Sequence, residues 1–218
     1  MHSPIQLIIS YLPFFLNGTL LTIVFSLSGI VFGTILGLGI CFGKMLNNRW
    51  LRLPFVAYIG FFRGTPLFVQ ILLVHFGLVP AILGQSNGIV AGIVALSLNE
   101  AAYIAEVFRA GIQSIEGGQT EAARSLGMSH SQTMRYVILP QAVRRVLPPM
   151  GNDFIALIKD SSLTCAIAAP ELTYWAQAMG AQYSIVWTPY LTISFIYLIL
   201  TLTMSAFVGH LERRMASR

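Results

Sequence analysis

Asn99, Tyr103 and Glu106 stand four and seven residues apart in an otherwise apolar run, a spacing that puts all three on one face of a helix. Glu100 lies about 100° around that helix from Asn99. A second apolar run carries Lys159 and Asp160, followed by Ser161, Ser162 and Thr164. A charge held at bilayer depth is expensive unless it meets a partner or a watery cavity, so each of these groups is a candidate for contact with a solute. Lys159 suits an anionic group and Glu106, Glu100 or Asp160 a cation, with Asn99, Tyr103 and Ser162 beside them as neutral hydrogen-bonding groups. The structural alternative is that Lys159 pairs with Asp160 or Glu106 to hold spans together, and that Glu106, near Arg109, is interfacial.

The elements that must position these residues are membrane spans. Of 218 residues, 56% are hydrophobic and 10% charged, too few charges to cover a water-facing surface. Residues 1 to 43 contain no Lys, Arg, Asp or Glu. The run from Gly18 to Gly43, at about 1.5 Å per residue, is long enough to cross a hydrocarbon core of about 30 Å. Nothing before it resembles the basic start of a cleavable signal peptide, so it is expected to stay in the protein. Five spans are expected in a single domain over 1–218, at about 18–43, 53–83, 88–108, 152–168 and 185–208, with a polar island at about 109–141. The fourth is the least apolar, because Asp153, Lys159 and Asp160 interrupt it. Arg63-Gly64-Thr65-Pro66 breaks the second: Pro66 removes a donor, Gly64 loosens the helix, and the exposed backbone needs burial in protein or a watery cavity. Arg63 is read here as a clamp on freed carbonyls or on an acidic neighbour.

Eleven basic residues fall on alternate loops: Lys44, Arg49 and Arg52; then Arg109, Arg124, Arg135, Arg144 and Arg145; then Arg213, Arg214 and Arg218. Residues 1–17, 84–87 and 169–184 carry no Lys or Arg, which places the N-terminus outside and the island and tail in the cytoplasm. The net charge of +5 is thereby a matter of orientation, and its dispersal over three loops argues against nucleic acid. Cys41 and Cys165 sit in apolar segments without metal-like spacing and read as small buried hydrophobes.

The island is the most specific segment. Glu121, Ala122, Ala123, Arg124 and Leu126 favour helix, Gly127 supplies a stop, and Ser129 or Ser131 can cap a second helix that Pro140 ends or kinks. Glu121-Ala122-Ala123, then Gly127, then Val137, Leu139 and Pro140 follow the pattern EAA, three residues, G, nine residues, I-x-L-P, with Val in place of Ile. In this the chain resembles the permease subunits of importers powered by an ATP-binding cassette. Leu16-Asn17-Gly18-Thr19 with Thr22, Arg63-Gly64-Thr65-Pro66-Leu67 with Val69-Gln70, and Ala102-Tyr103-Ile104-Ala105-Glu106 narrow the likeness to the polar amino-acid permeases for histidine, glutamine, arginine, glutamate and opines.

That resemblance implies an all-α membrane protein of the type I ABC importer permease fold, with five transmembrane helices and a cytoplasmic coupling helix, in the bacterial inner membrane. It implies a second permease subunit, identical or related, two ABC ATPase subunits that bind ATP and Mg, and an extracytoplasmic amino-acid-binding protein. Glu121, Ala122, Ala123, Arg124, Gly127, Leu139 and Pro140 would then form the knob that docks on the ATPase. An amino-acid zwitterion needs a cation for its carboxylate and acceptors for its ammonium group, and the excess of acid over base at depth favours a cationic substrate such as arginine, lysine or histidine.

The chain has no G-x-x-x-x-G-K-[ST] loop, so energy must come from a partner and no cofactor is expected on this chain. It also lacks a metal triad, a Gly-rich dinucleotide turn and a nucleophile elbow, which excludes the corresponding enzyme classes. Five spans are too few to enclose a path alone, and Gly29, Gly33 and Gly37 offer a stripe for close helix contact. The competing reading is an ATP-independent secondary carrier or channel subunit for small polar solutes, although no inverted repeat of the kind such carriers show is visible.

Overall fold

A computed structural model describes residues 3–216, with side chains to Arg214; Met1, His2, Ser217 and Arg218 of the sequence, and so one of the tail arginines, lie outside it. Helix α1 spans Pro4–Lys44, capped by a reciprocal pair in which Ser3 accepts from the Gln6 amide and Gln6 accepts from the Ser3 amide. The first apolar run is therefore helical well before Gly18. Glycine lets it approach α5 (Gly88–Gln113) closely: a Cβ on Gly33 would sit 2.8 Å from Glu100 Cβ, and one on Gly37 2.9 Å from the Ala101 carbonyl. The glycine stripe is thus packed within the chain, Gly33 and Gly37 against α5 and Gly29 against Leu157.

Helix α2 (Arg49–Gly64) ends where Thr65 turns extended ahead of Pro66, whose ring excludes the helical conformation for the residue before it. The segment that follows comprises α3 (Leu67–Leu73), a π turn over Val74–Leu78 and α4 (Val79–Leu83). It leaves α2 at 111°. Beyond α5 come α6 (Gly117–Ser125), α7 (His130–Thr133), a second π turn over Met134–Ile138 and α8 (Leu139–Asp160). Pro140 therefore neither ends nor interrupts the helix. Both π turns stop just before a proline, Pro80 and Pro140, with the Val79 amide bonded to the Val74 carbonyl and the Leu139 amide to the Met134 carbonyl. The wider turn makes room for the ring against the carbonyl four residues back.

The chain closes with a 3-10 segment over Ser161–Ile167, α9 (Leu172–Tyr183) and α10 (Trp187–Ala216). Among the described residues three helices are long and apolar enough to cross a membrane, α1, α5 and α10, and the bent pair α2 with α3–α4 brings the number to four. The sequence leads one to expect five. The one that does not reach that length and apolarity is the 152–168 region, where α8 gives way to the 3-10 segment at Ser161 and Asp153, Lys159 and Asp160 dilute the apolar run. Large apolar side chains such as Ile5, Leu20, Ile35, Phe195 and Ile199 are exposed on α1 and α10, as suits helices whose solvent is lipid or another subunit. Three buried clusters follow the long axis: around Leu7, Phe15 and Met179 at one end, Phe25, Leu96 and Leu157 in the middle, and Cys41, Ile112 and Ala142 at the other.

Candidate functional site

The break after α2 is held by two amides. Gln70 Nε2 donates to the Phe62 carbonyl at 2.9 Å and to the Thr65 carbonyl at 3.1 Å, and Asn99 Nδ2 donates to Gln70 Oε1 at 2.8 Å and to the Phe62 carbonyl at 3.3 Å. The carbonyls freed near Gly64 and Pro66 are thus satisfied by Gln70 and Asn99, and Arg63 is left for other work. Gln70 is almost fully buried, and a polar residue four positions after a proline break, inside a run of Leu, Val and Ile, was the signal for it.

Next to this clamp α5, α8 and the break enclose a cavity of about 260 Å3 lined by Thr65, Asn99, Glu100, Tyr103, Asp153 and Asp160, with apolar Leu67, Ala156 and Leu163. Four of the residues singled out from the sequence, Asn99, Glu100, Tyr103 and Asp160, meet here. Asp153 joins them from seven residues before Asp160, two helical turns along the same face of α8. Three carboxylates share the cavity and no basic side chain lines it. Glu100 is 5% exposed. Its Oε1, and Asp153 Oδ2, are buried with no hydrogen-bond partner among the described residues. A buried unpaired carboxylate oxygen is among the most expensive groups a fold can hold, and such groups concentrate where a ligand completes them. Lys159 is exposed and lies outside the lining, as does half-buried Ser162.

Glu106 has a different environment. It accepts from Lys44 Nζ at 2.5 Å and from Arg109 Nη2 at 2.8 Å, and Arg63 Nη1 stands 3.8 Å away. The Arg63 guanidinium also lies 5.4 Å from the centroid of the Tyr103 ring. Arg63 therefore connects the ion cluster to the mouth of the acidic cavity.

The polar island forms a second site. In α6 the residues Glu121, Ala122 and Arg124 are exposed while Ala123 is buried. The helix ends in a Schellman arrangement: the Met128 amide bonds the Ala123 carbonyl at 3.2 Å, the Gly127 amide bonds the Arg124 carbonyl at 3.0 Å, and Gly127 has φ +82°. Ser129 caps α7 and exchanges hydrogen bonds with Gln132. Leu126 is 85% exposed at the tip, a large apolar side chain with no cover in this chain. Ile138 is buried and Val137 and Leu139 pack beside it on the Ile112 and Ala142 cluster, while Pro140 is exposed at the start of α8. One half of the motif thus presents a surface and the other half roots it. Arg145 Nη1 donates to the Ser114 carbonyl and hydroxyl, tying α8 to the end of α5. Nothing in the spacing of the motif points to that contact, because it joins residues 31 positions apart.

Residues 29–217 match the family of binding-protein-dependent transport system inner membrane components. A probable amino-acid ABC transporter permease of Bacillus subtilis, YckA, is 39% identical over 97% of this chain and 93% of its own length. The glutamine transport system permease protein GlnP of Escherichia coli is 36% identical over 94% of each chain. The L-cystine transport system permease protein TcyB of Bacillus subtilis is 39% identical over 94% of this chain and 88% of its own. Among solved structures, an amino acid ABC transporter crystallised with histidines superposes with a TM-score of 0.91 at 39% identity, covering 98% of this chain and all of that one. The MetNI methionine ABC transporter in an inward-facing form shares the fold, with a TM-score of 0.79 at 22% identity over 99% of each chain.

Proposed function

This chain belongs to the family of binding-protein-dependent transport system inner membrane components, and on that premise we propose that its acid-lined cavity receives the cationic groups of a basic amino acid on the way into the cytoplasm. The chain is a permease subunit of an ATP-driven amino-acid importer. That identity sets aside an ATP-independent carrier or channel, and it leaves hydrolysis to a separate subunit.

Relatives named for glutamine and for cystine stand at similar identities to this chain, so overall likeness does not select a substrate and the chemistry of the cavity has to. The single observation that carries the reading is that Glu100, Asp153 and Asp160 converge on one cavity with no basic residue in its lining. At about 260 Å3 it falls below the roughly 300–1,000 Å3 of drug-sized pockets and suits a small metabolite. The ammonium and side-chain cation of arginine or lysine would satisfy the unpartnered oxygens of Glu100 and Asp153. The substrate carboxylate would turn toward Tyr103 and the Arg63 guanidinium beyond it, a role that sequence alone suggested for Lys159.

In this reading Glu121, Ala122, Arg124, Leu126 and Gly127 dock in a cleft of the ATPase, and Val137, Leu139 and Arg145 carry its movement to α8 and α5. The N-terminus lies outside the bacterial inner membrane and the loop and tail in the cytoplasm. Two permease subunits, two ATPase subunits holding ATP and Mg, and an extracytoplasmic binding protein complete the assembly.

The test is equilibrium binding to the purified permease–ATPase complex without the binding protein, by competition among arginine, lysine, histidine and glutamine. Arginine or lysine is expected to bind at least about tenfold more tightly than glutamine, the effect of one charge-assisted contact. Equal binding of arginine and glutamine would overturn the cationic assignment.

A further inference from the structure

At the end of the molecule that carries the coupling loop, α1 finishes at Lys44 and α2 starts at Arg49. Between this turn and the last turns of α5 lies a cavity of about 530 Å3 whose polar lining is Lys44, Asn47, Arg52, Arg109 and Gln113. No acidic side chain lines it. Glu106 stands behind the cavity and already holds Lys44 and Arg109, with Arg63 at 3.8 Å. Counting Arg52, four cations face one carboxylate. The two that Glu106 holds are also fixed in place, since Arg109 Nη1 donates onward to Gln113 and Lys44 is anchored by its ion pair. A fixed group of guanidinium and ammonium donors around a polar cavity with excess positive charge is suited to a phosphate.

We propose that this cavity binds the phosphate headgroup of an anionic phospholipid. A lipid fits better than a free anion because the cavity sits where the apolar helices stop. Beside it Trp50 is 68% exposed with the Arg49 guanidinium 4.9 Å from its ring centroid, and Leu46, Leu51 and Leu53 are exposed too. Tryptophan and arginine side by side mark the membrane–water interface, and exposed leucines next to them offer a path for acyl chains. Basic pockets between spans at that level are where anionic headgroups collect. The headgroup would rest on the same side chains that clasp Glu106, within a helical turn of the stem of the coupling loop at Ser114, so its occupancy stiffens the joint between spans and ATPase. The inference is independent of which amino acid is carried.

The test uses the permease–ATPase complex in nanodiscs of phosphatidylcholine with increasing phosphatidylglycerol, reading ATPase activity and the phosphatidylglycerol retained in native mass spectrometry. Arg52→Gln and Arg52→Lys are the variants, because Arg52 touches neither the amino-acid cavity nor the docking surface. The wild type is expected to retain phosphatidylglycerol over phosphatidylcholine. Arg52→Gln should weaken that preference about fivefold, the change that corresponds to about 1 kcal/mol for one basic residue at an anionic surface, and Arg52→Lys should restore most of it. Equal retention of the two lipids by the wild type, or no loss in Arg52→Gln, would overturn the site. Millimolar inorganic phosphate that displaces phosphatidylglycerol and supports the same activity in pure phosphatidylcholine would overturn the lipid and leave a free-anion site.

Discussion

Glu100 and Glu106 are six residues apart on one helix and have opposite surroundings. Glu106 is gripped by Lys44 and Arg109 with Arg63 nearby, whereas Glu100 is more deeply buried, has an oxygen without a partner, and shares its cavity with two further carboxylates. One glutamate is satisfied by its own chain and the other keeps an oxygen that no described residue completes. The contrast distinguishes the two acids by what surrounds each, where residue type and depth alone could not; in the proposed reading Glu106 is structural and Glu100 faces the solute. The two regions also touch, because Arg63 lies over the Tyr103 ring at the cavity and within 3.8 Å of Glu106.

Four substitutions test that contrast. The largest effect is expected for Glu106→Ala, which strands Lys44 and Arg109 together. Because the cluster is only partly buried, the loss should be about 2–3 kcal/mol, between the limits for surface and buried pairs. Thermal unfolding of the purified complex would register it, and an unchanged Tm would remove Glu106 from the structural side. Gly33→Ala comes next, since its methyl would press on Glu100 Cβ and Cγ at 2.8 Å. A displacement of α1 from α5 costing about 1–3 kcal/mol is expected, with uptake falling alongside Tm. Unaltered uptake and stability would mean that Glu100 is not held by that approach.

Glu100→Gln should act in the opposite sense to Glu106→Ala. Replacing an unpartnered buried carboxyl by an amide of the same shape leaves Tm unchanged or higher, while affinity for a cationic amino acid drops about tenfold or more. A variant that unfolds without changing relative affinities would place both glutamates in one structural class. The smallest effect belongs to Arg63→Gln on stability. Its side chain is 45% exposed and its contact with Glu106 is long, so a change within about 1 kcal/mol is expected. Any larger loss of uptake than of stability would assign Arg63 to the substrate carboxylate.

The polar island differs from both glutamates in being local. Gly127 at positive φ, the Ser129 cap and the short helix at Glu121 are consequences of residues within a few positions of each other, and the sequence pattern anticipated them. The break at Pro66 was visible for the same reason, since a proline acts on its immediate neighbour. The continuation of helix past Pro140 was not, because a π turn just before the ring can accommodate it without ending the helix, and the spacing of the motif does not reveal that turn.

By itself the sequence determined that this is a membrane protein, where its chain breaks, and where its polar helical island lies, since hydropathy, prolines and capping residues act over a turn or two. Only the tertiary structure decided that Glu106 meets Lys44, 62 positions away, that Asp153 completes the cavity of Glu100, and that Lys159 points elsewhere. A periodic pattern sets which residues share a face of one helix, but the rotation of each helix about its axis is fixed by packing against the others, and that rotation determines which charges find partners.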